Sequence, residues 1–310
     1  IRTYVLITRP TIPPATVVQI EPKSVLNRVH TDRYGFRWTI NPYRGCQHAC
    51  VYCFARNTHT YLGMDAGNDF NRHIVVKQRA ADVLRRELRR PGWRRELIML
   101  GTAVDPWQPV EAKHRITRSL LRVLRDCANP LGALTKSVLV TRDTDYLSEL
   151  AQVASVHVNF TVCTLDDRVW KLAEPGTPHP RRRLEALETL VRAGIPAGVM
   201  LAPLMPGLND SRESIETVVR AAAEHGARSV TPVVLNLRPG SKDWFMGWLP
   251  EAFPHLVDGY TRLYPGSNAY VPPAYEADVR RRVEDALARW GFDVRPFESG
   301  PPRGQLALAL

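Results

Sequence analysis

Three cysteines fall within one short stretch, Cys46-Gln-His-Ala-Cys50-Val-Tyr-Cys53. The C-x3-C-x2-C spacing constrains the fold more than any other feature, because three soft donors this close must share one loop. Thiolates are the natural ligands of iron–sulfur clusters, usually four to a cubane. Three of them hold three irons and leave the fourth open to a small molecule, as a catalytic zinc keeps an open position. No fourth cysteine follows nearby, since the other two are Cys127 and Cys163. A structural zinc site is the alternative, with His48 or His59 completing a Cys3His set. A disulfide with one thiol left over fits a reducing compartment poorly.

What surrounds the loop decides which fold can hold it. Arg37–Ile40 reads as a strand stopped by Asn41-Pro42, and a helix is expected from Cys50 to Tyr61. A site at the C-terminal mouth of a barrel needs this strand–loop–helix order. Further alternation follows. A helix is expected over Val76–Arg90, a strand over Glu96–Gly101, a helix near 114–127 and a strand over Ser137–Thr141. Next come a strand over Val156–Cys163, a helix over Arg181–Ala193, a strand over Ala197–Ala202, a helix to about His225 and a strand over Arg228–Asn236. Pro232 puts that last strand at an edge or a bulge. Residues 1–36 read as irregular and proline-punctuated, with a short turn of helix at Ser24–Arg28. After residue 240 the repeat stops, and helices are expected near 250–264 and 274–290. The pattern predicts an α/β chain: a parallel (βα)6 partial TIM barrel over 37–240, with a C-terminal helical extension over 241–310 packing on it.

Composition matters for partners and compartment. No run of 18 apolar residues appears, so no membrane span is expected, and the first ten residues lack the pattern of a signal peptide. A cytoplasmic location is the default. The chain begins at Ile1, which leaves the completeness of its N-terminus open. The formal net charge is +11. That charge suits a polyanion, because clustered Lys and Arg release counterions from phosphates. Trp107, Trp244 and Trp248 are candidate stacking platforms for bases, although such aromatics are more often core residues. Cys127 falls on a helix's apolar stripe as a core thiol. Cys163 shares a strand face with Asn159 and Thr161.

With Tyr52 before its third cysteine, the motif resembles the signature of the radical S-adenosylmethionine enzymes. Gly101-Thr102, Asp105–Glu111, Thr135-Lys136, Arg142-Asp143, Glu174-Pro-Gly176, Arg183-Leu184 and Pro206–Asp210 resemble one branch, the spore photoproduct lyase-like proteins. This resemblance spans about residues 37–290. It implies a [4Fe–4S] cluster on Cys46, Cys50 and Cys53, with S-adenosylmethionine on the open iron. It also implies Tyr52 by the adenine, Gly101 and Thr102 at the methionine end, and Lys136 paired with the methionine carboxylate. Asn159 and Thr161 would reach the ribose, and Arg183 would contact the cofactor or face solvent or phosphate. The implied activity is reductive cleavage to a 5′-deoxyadenosyl radical that takes hydrogen from a substrate, with an external one-electron reductant. DNA or RNA is the expected substrate, a damaged or modified base; the alternatives are a peptide or small molecule, or a non-catalytic zinc-dependent nucleic-acid-binding protein. In that branch a cysteine near the second-strand exit donates hydrogen to the product radical. The comparable position here is Thr102, a poor hydrogen-atom donor, so that route does not carry over.

Overall fold

A computed structural model of the chain describes residues 14–30 and 35–293. The signal-peptide reading of the first ten residues and the end of the expected C-terminal extension lie outside that range. Among the described residues ten strands form two sheets. They are β1 (Thr16–Ile20), β2 (Leu26–Arg28), β3 (Trp38–Ile40), β4 (Tyr43–Arg44), β5 (His73–Lys77), β6 (Ile98–Leu100), β7 (Leu131–Thr135), β8 (Val156–Thr161), β9 (Ala197–Leu204) and β10 (Val230–Val234). The larger sheet runs β10-β9-β8-β7-β6-β3-β2. Pairing from β3 through β10 is parallel, and β2 lies antiparallel on β3. Six parallel strands with helices between them make an open partial barrel. Its outer layer buries Val158, Phe160, Val199 and Leu201 against helix residues such as Leu120, Leu184 and Val219. The register slips between Pro232 and Val234 on the edge strand β10, because proline has no N–H to give to the ladder.

Five expectations change. Residues 1–36 are not irregular throughout, because Thr16–Ile20 is a strand paired in parallel with His73–Lys77. Ser24–Arg28 is extended, because Leu26–Arg28 finds a ladder partner in Trp38–Ile40. The helix expected from Val76 begins at Ala80 and ends at Leu88; His73–Lys77 is instead a strand, sandwiched between β1 and β4. The segment after the cysteines is a 3-10 helix over Phe54–Leu62 that begins past Cys53. The third barrel strand is Leu131–Thr135, and Val138–Asp143 is a 3-10 helix that opens with Ser137 Oγ accepting from Leu139 N. The β-branched run at 137–141 lost to packing: Gly132 lies so close under Met99 that a Cβ would come 2.2 Å from its sulfur. Strand preference is context more than intrinsic propensity.

The C-terminal helices Ser241–Ala252, Val257–Leu263 and Pro273–Arg289 follow the barrel. A second apolar core joins Phe245, Leu249, Phe253, Tyr260 and Tyr264 to Cys50, Val51, Tyr52 and Cys163. This extension therefore packs over the cysteine loop. Among the described residues no helix is long and apolar enough to cross a membrane.

Candidate active site

Parallel strands deliver the residues after their C-terminal ends to one end of the barrel. Gly101 and Thr102 follow β6, Lys136 follows β7, and Cys163 lies just past β8. Lys136 is thus at a strand exit rather than before a strand, which is the consequence of moving the third strand upstream. The cysteine loop reaches the same end through β4 and is pinned there by side chains. Gln108 Nε2 donates to Gly45 O (2.9 Å) and its Oε1 accepts from Gln47 N (2.9 Å). Gln47 Oε1 accepts in turn from Val110 N (2.7 Å). Ala49, between the first two thiols, has φ +55°, a left-handed conformation that a non-glycine holds only when its surroundings impose it.

The three thiols are free, with Cys46 and Cys50 buried and Cys53 half-buried. Burial pushes the Cys50 thiol up to about 12, against the pull of Lys136. It raises Cys46 too, with Asp105 adding to the effect. Neither histidine completes a Cys3His zinc set. His48 Nδ1 lies 3.2 Å from Asp105 Oδ2, a contact without hydrogen-bond alignment. His59 Nε2 is 2.9 Å from His73 O, and its ring meets Phe70 edge-on. Among the described residues no three His, Cys, Asp or Glu converge on a position for a single metal ion.

Beside the thiols lies a fully buried ion pair. Arg183 Nη2 is 2.5 Å from Glu174 Oε2, and both side chains are shut from solvent. The same guanidinium donates to Thr161 O, Thr177 Oγ1 and Pro178 O. Arg183 is therefore neither solvated nor phosphate-facing, the alternatives left by its place in an arginine run. Tyr52 Oη donates to Glu174 Oε1, and Cys163 Sγ lies 3.5 Å from the same oxygen. Burial works to raise the Glu174 pKa, but Arg183 and Lys136 hold it at about 2. The Lys136 Nζ sits 5.6 Å from the Tyr52 ring centroid. Burial works against its charge, and Cys50 and Glu174 outweigh burial, so its pKa is raised. Its backbone N–H donates to Asp105 Oδ2 (2.6 Å). Thr102 Oγ1 is buried and has no hydrogen-bond partner among the described residues.

Asn159 pairs in register with Gly198, and its Oδ1 lies 3.1 Å from His157 Nε2. Thr161 is buried, and its carbonyl is taken by Arg183. The expected aromatic platforms are built otherwise. Trp107 is fully buried, with Nε1 donating to Asp143 Oδ2 (2.8 Å). Trp248 packs on Phe245 and Phe253. Trp244 covers the Arg56 guanidinium at 4.7 Å. Cys127 closes the helix Ile116–Asp126 and packs against the main core. Glu174, Asp105 and Arg56 were not singled out as site residues. For Glu174 the available signal was an acid directly after an apolar helix end, where a carboxylate needs a cation to be buried.

The family model of the radical SAM superfamily matches residues 40–222. An uncharacterized protein of Mycobacterium tuberculosis is 41% identical over 92% of this chain and 84% of its own. In fold, the chain is similar to a mutant of spore photoproduct lyase, with a TM-score of 0.66 at 16% identity over 91% of this chain and 85% of that one. It is similar also to a mutant of that lyase described with bound AdoMet and dinucleoside spore photoproduct, with a TM-score of 0.65 at 15% identity over the same shares. The family model spans more than half of the chain, from the end of β3 through the helix after β9, and the chain belongs to the radical SAM superfamily.

Proposed function

We propose that Cys46, Cys50 and Cys53 hold a [4Fe–4S] cluster through three of its irons, and that S-adenosylmethionine binds beside it at the barrel mouth. The observation that carries this reading is the Lys136 ammonium. It lies over Tyr52 and acts on Cys50, yet its Nζ has no hydrogen bond or ion pair with a described residue. A carboxylate is the natural partner for such a point charge. The orphaned Thr102 hydroxyl points the same way, since a buried polar group without a partner costs about 1–3 kcal/mol. The donor set fits the cluster: two buried thiols and one half-buried thiol on a single loop suit a cubane, which spreads its thiolates over separate irons. When bound, the cluster supplies one electron and S-adenosylmethionine the hydrogen-abstracting fragment.

The chain's own residues bind, orient and exclude water. Glu174 fixes the Tyr52 hydroxyl, so the ring is held as a flat wall. Gly101, with φ +89°, lets the β6 exit turn where a Cβ would lie 2.5 Å from the Pro106 ring. Arg183 spends its donors on protein atoms, so its part is to position Tyr52 through Glu174. Asn159 and Thr161 remain the ribose-side candidates. The C-terminal core closes over the loop and keeps water from it.

The substrate this reading favours is a base in DNA or RNA. Its supports are the net charge of +11 and the fold shared with a lyase described with a dinucleoside photoproduct. A base within a duplex must leave the stack to enter a barrel mouth. Two measurements test the reading. Lys136→Met lowers S-adenosylmethionine affinity at least tenfold in anaerobically reconstituted protein with unchanged iron; unaltered affinity sinks the placement. Release of 5′-deoxyadenosine rises with ultraviolet-irradiated DNA, and release indifferent to DNA removes the nucleic-acid substrate.

A further inference from the structure

Arg56 is a fully buried arginine whose guanidinium is engaged on every side. Nε and Nη2 both donate to Cys50 O (3.1 and 2.9 Å), and Nη2 also donates to Ala49 O (3.3 Å) and Asn71 Oδ1 (3.3 Å). Nη1 donates to Ala66 O (3.2 Å) and Gly67 O (2.8 Å). Phe70 and Trp244 flank it, with centroids at 5.3 and 4.7 Å. Every hydrogen-bond acceptor is neutral, and no carboxylate among the described residues makes an ion pair with it. Burying a cation in this way is costly unless something pairs its charge.

A clamp on four carbonyls does not need that charge, because a neutral amide also donates. The positive charge therefore calls for a partner, and the surroundings identify it. Nε and Nη2 clasp Cys50 O and Nη2 reaches Ala49 O, so the guanidinium sits against the backbone of the loop that carries Cys46, Cys50 and Cys53. We infer that Arg56 is the built-in countercharge of the three-thiolate loop, and that it raises the reduction potential of the cluster this loop holds. The inference rests on the cluster reading above. Reduction adds negative charge next to a fixed cation, so the cation favours the reduced form; net charge and burial are among the levers on such potentials. Arg56 is a positioning residue in this sense: it acts through the loop.

The test is a redox titration of the anaerobically reconstituted full chain, followed by the electron paramagnetic resonance signal of the reduced cluster. Arg56→Gln keeps donors and loses charge; Arg56→Lys keeps charge and loses the fork. The expected result is a more negative midpoint for Arg56→Gln at equal iron content, with Arg56→Lys close to the wild type. Equal midpoints for wild type and Arg56→Gln overturn the inference and leave a carbonyl clamp. So does a shift shared equally by both variants, which would assign the effect to the hydrogen bonds. If Arg56→Gln fails to take up iron, uptake by Arg56→Lys supports the charge, and failure of both overturns it. A wild-type chain that takes up no cluster overturns the underlying reading as well, and is seen before any variant is made.

Discussion

Glu174 and Arg183 show how a single pair of side chains can hold a site in place. Removing one partner of a buried ion pair typically costs about 3–5 kcal/mol, because the other charge stays buried alone. Arg183→Ala is expected to lower stability by about that amount, read as a shift in the denaturant midpoint, whereas the exposed pair Arg192–Glu188 changes it by about 1 kcal/mol or less. The pH dependence has a defined sign. Glu174 titrates at about 2 in the folded chain, below its ordinary 4.5. The stability it lends is complete above pH 4.5 and is lost as pH falls toward 2. Acid unfolding of Glu174→Gln should show a flatter profile across that window from a lower starting stability; parallel profiles would contradict the assignment. Of this residue-scale picture, the C-x3-C-x2-C signature with Tyr52 was legible because its spacing is local. Glu174 was not, because its cation lies on the next helix and only the fold brings the two together.

At the level of elements, close backbone approach is what shapes the cysteine loop. Gly176 follows the helix Asp167–Ala173, and its N–H donates to His48 O (3.0 Å). A Cβ there would lie 2.1 Å from Gln47 O and 2.8 Å from the His48 backbone. Gly176→Ala must push the loop aside, an overpacking worth about 1–3 kcal/mol, and iron uptake on reconstitution should fall. Gly247→Ala is the matched control, since nothing lies within 4 Å of its Cβ; alanine inside that helix should stabilise it by about 0.5–1 kcal/mol. Equal iron uptake in the two variants would remove Gly176 from the loop's support. Element types with strong periodicity were legible, as in the helices Ile116–Asp126 and Pro180–Arg192. The strand at His73–Lys77 was not, because its partners β1 and β4 both lie well upstream in sequence and flank it only in the folded sheet. The β-branched run before Arg142 misled for the opposite reason: its local preference was clear, and packing around Gly132 overruled it.

For the molecule as a whole, the excess of Lys and Arg is the property that bears on partners. If a nucleic acid is the substrate, log affinity falls linearly with log salt, each contacted phosphate contributing roughly −0.7 for a single strand and −0.9 for a duplex. Binding to a short oligonucleotide, measured between low and physiological salt, should weaken steeply; a flat dependence would argue for an uncharged substrate. The C-terminal helices belong to this scale too. The sequence reading placed helices near 250–264 and 274–290 and missed most of the one over Ser241–Ala252, and their role as a cover over Cys50, Tyr52 and Cys163 depends on contacts between residues far apart in the chain.

Local chemistry in the sequence was enough to determine the superfamily signature carried by the loop, the alternation of six strands with helices, and the edge position of the proline-bearing strand. Each rests on neighbours within a few residues: thiol spacing, side-chain period, a missing N–H. Tertiary structure alone decided which strand precedes Lys136, which cation neutralises Glu174, where both histidines turn, and what faces Arg56. These depend on groups far apart in sequence meeting in a space without water, where an unpaired charge or hydroxyl is costly enough to select its partner.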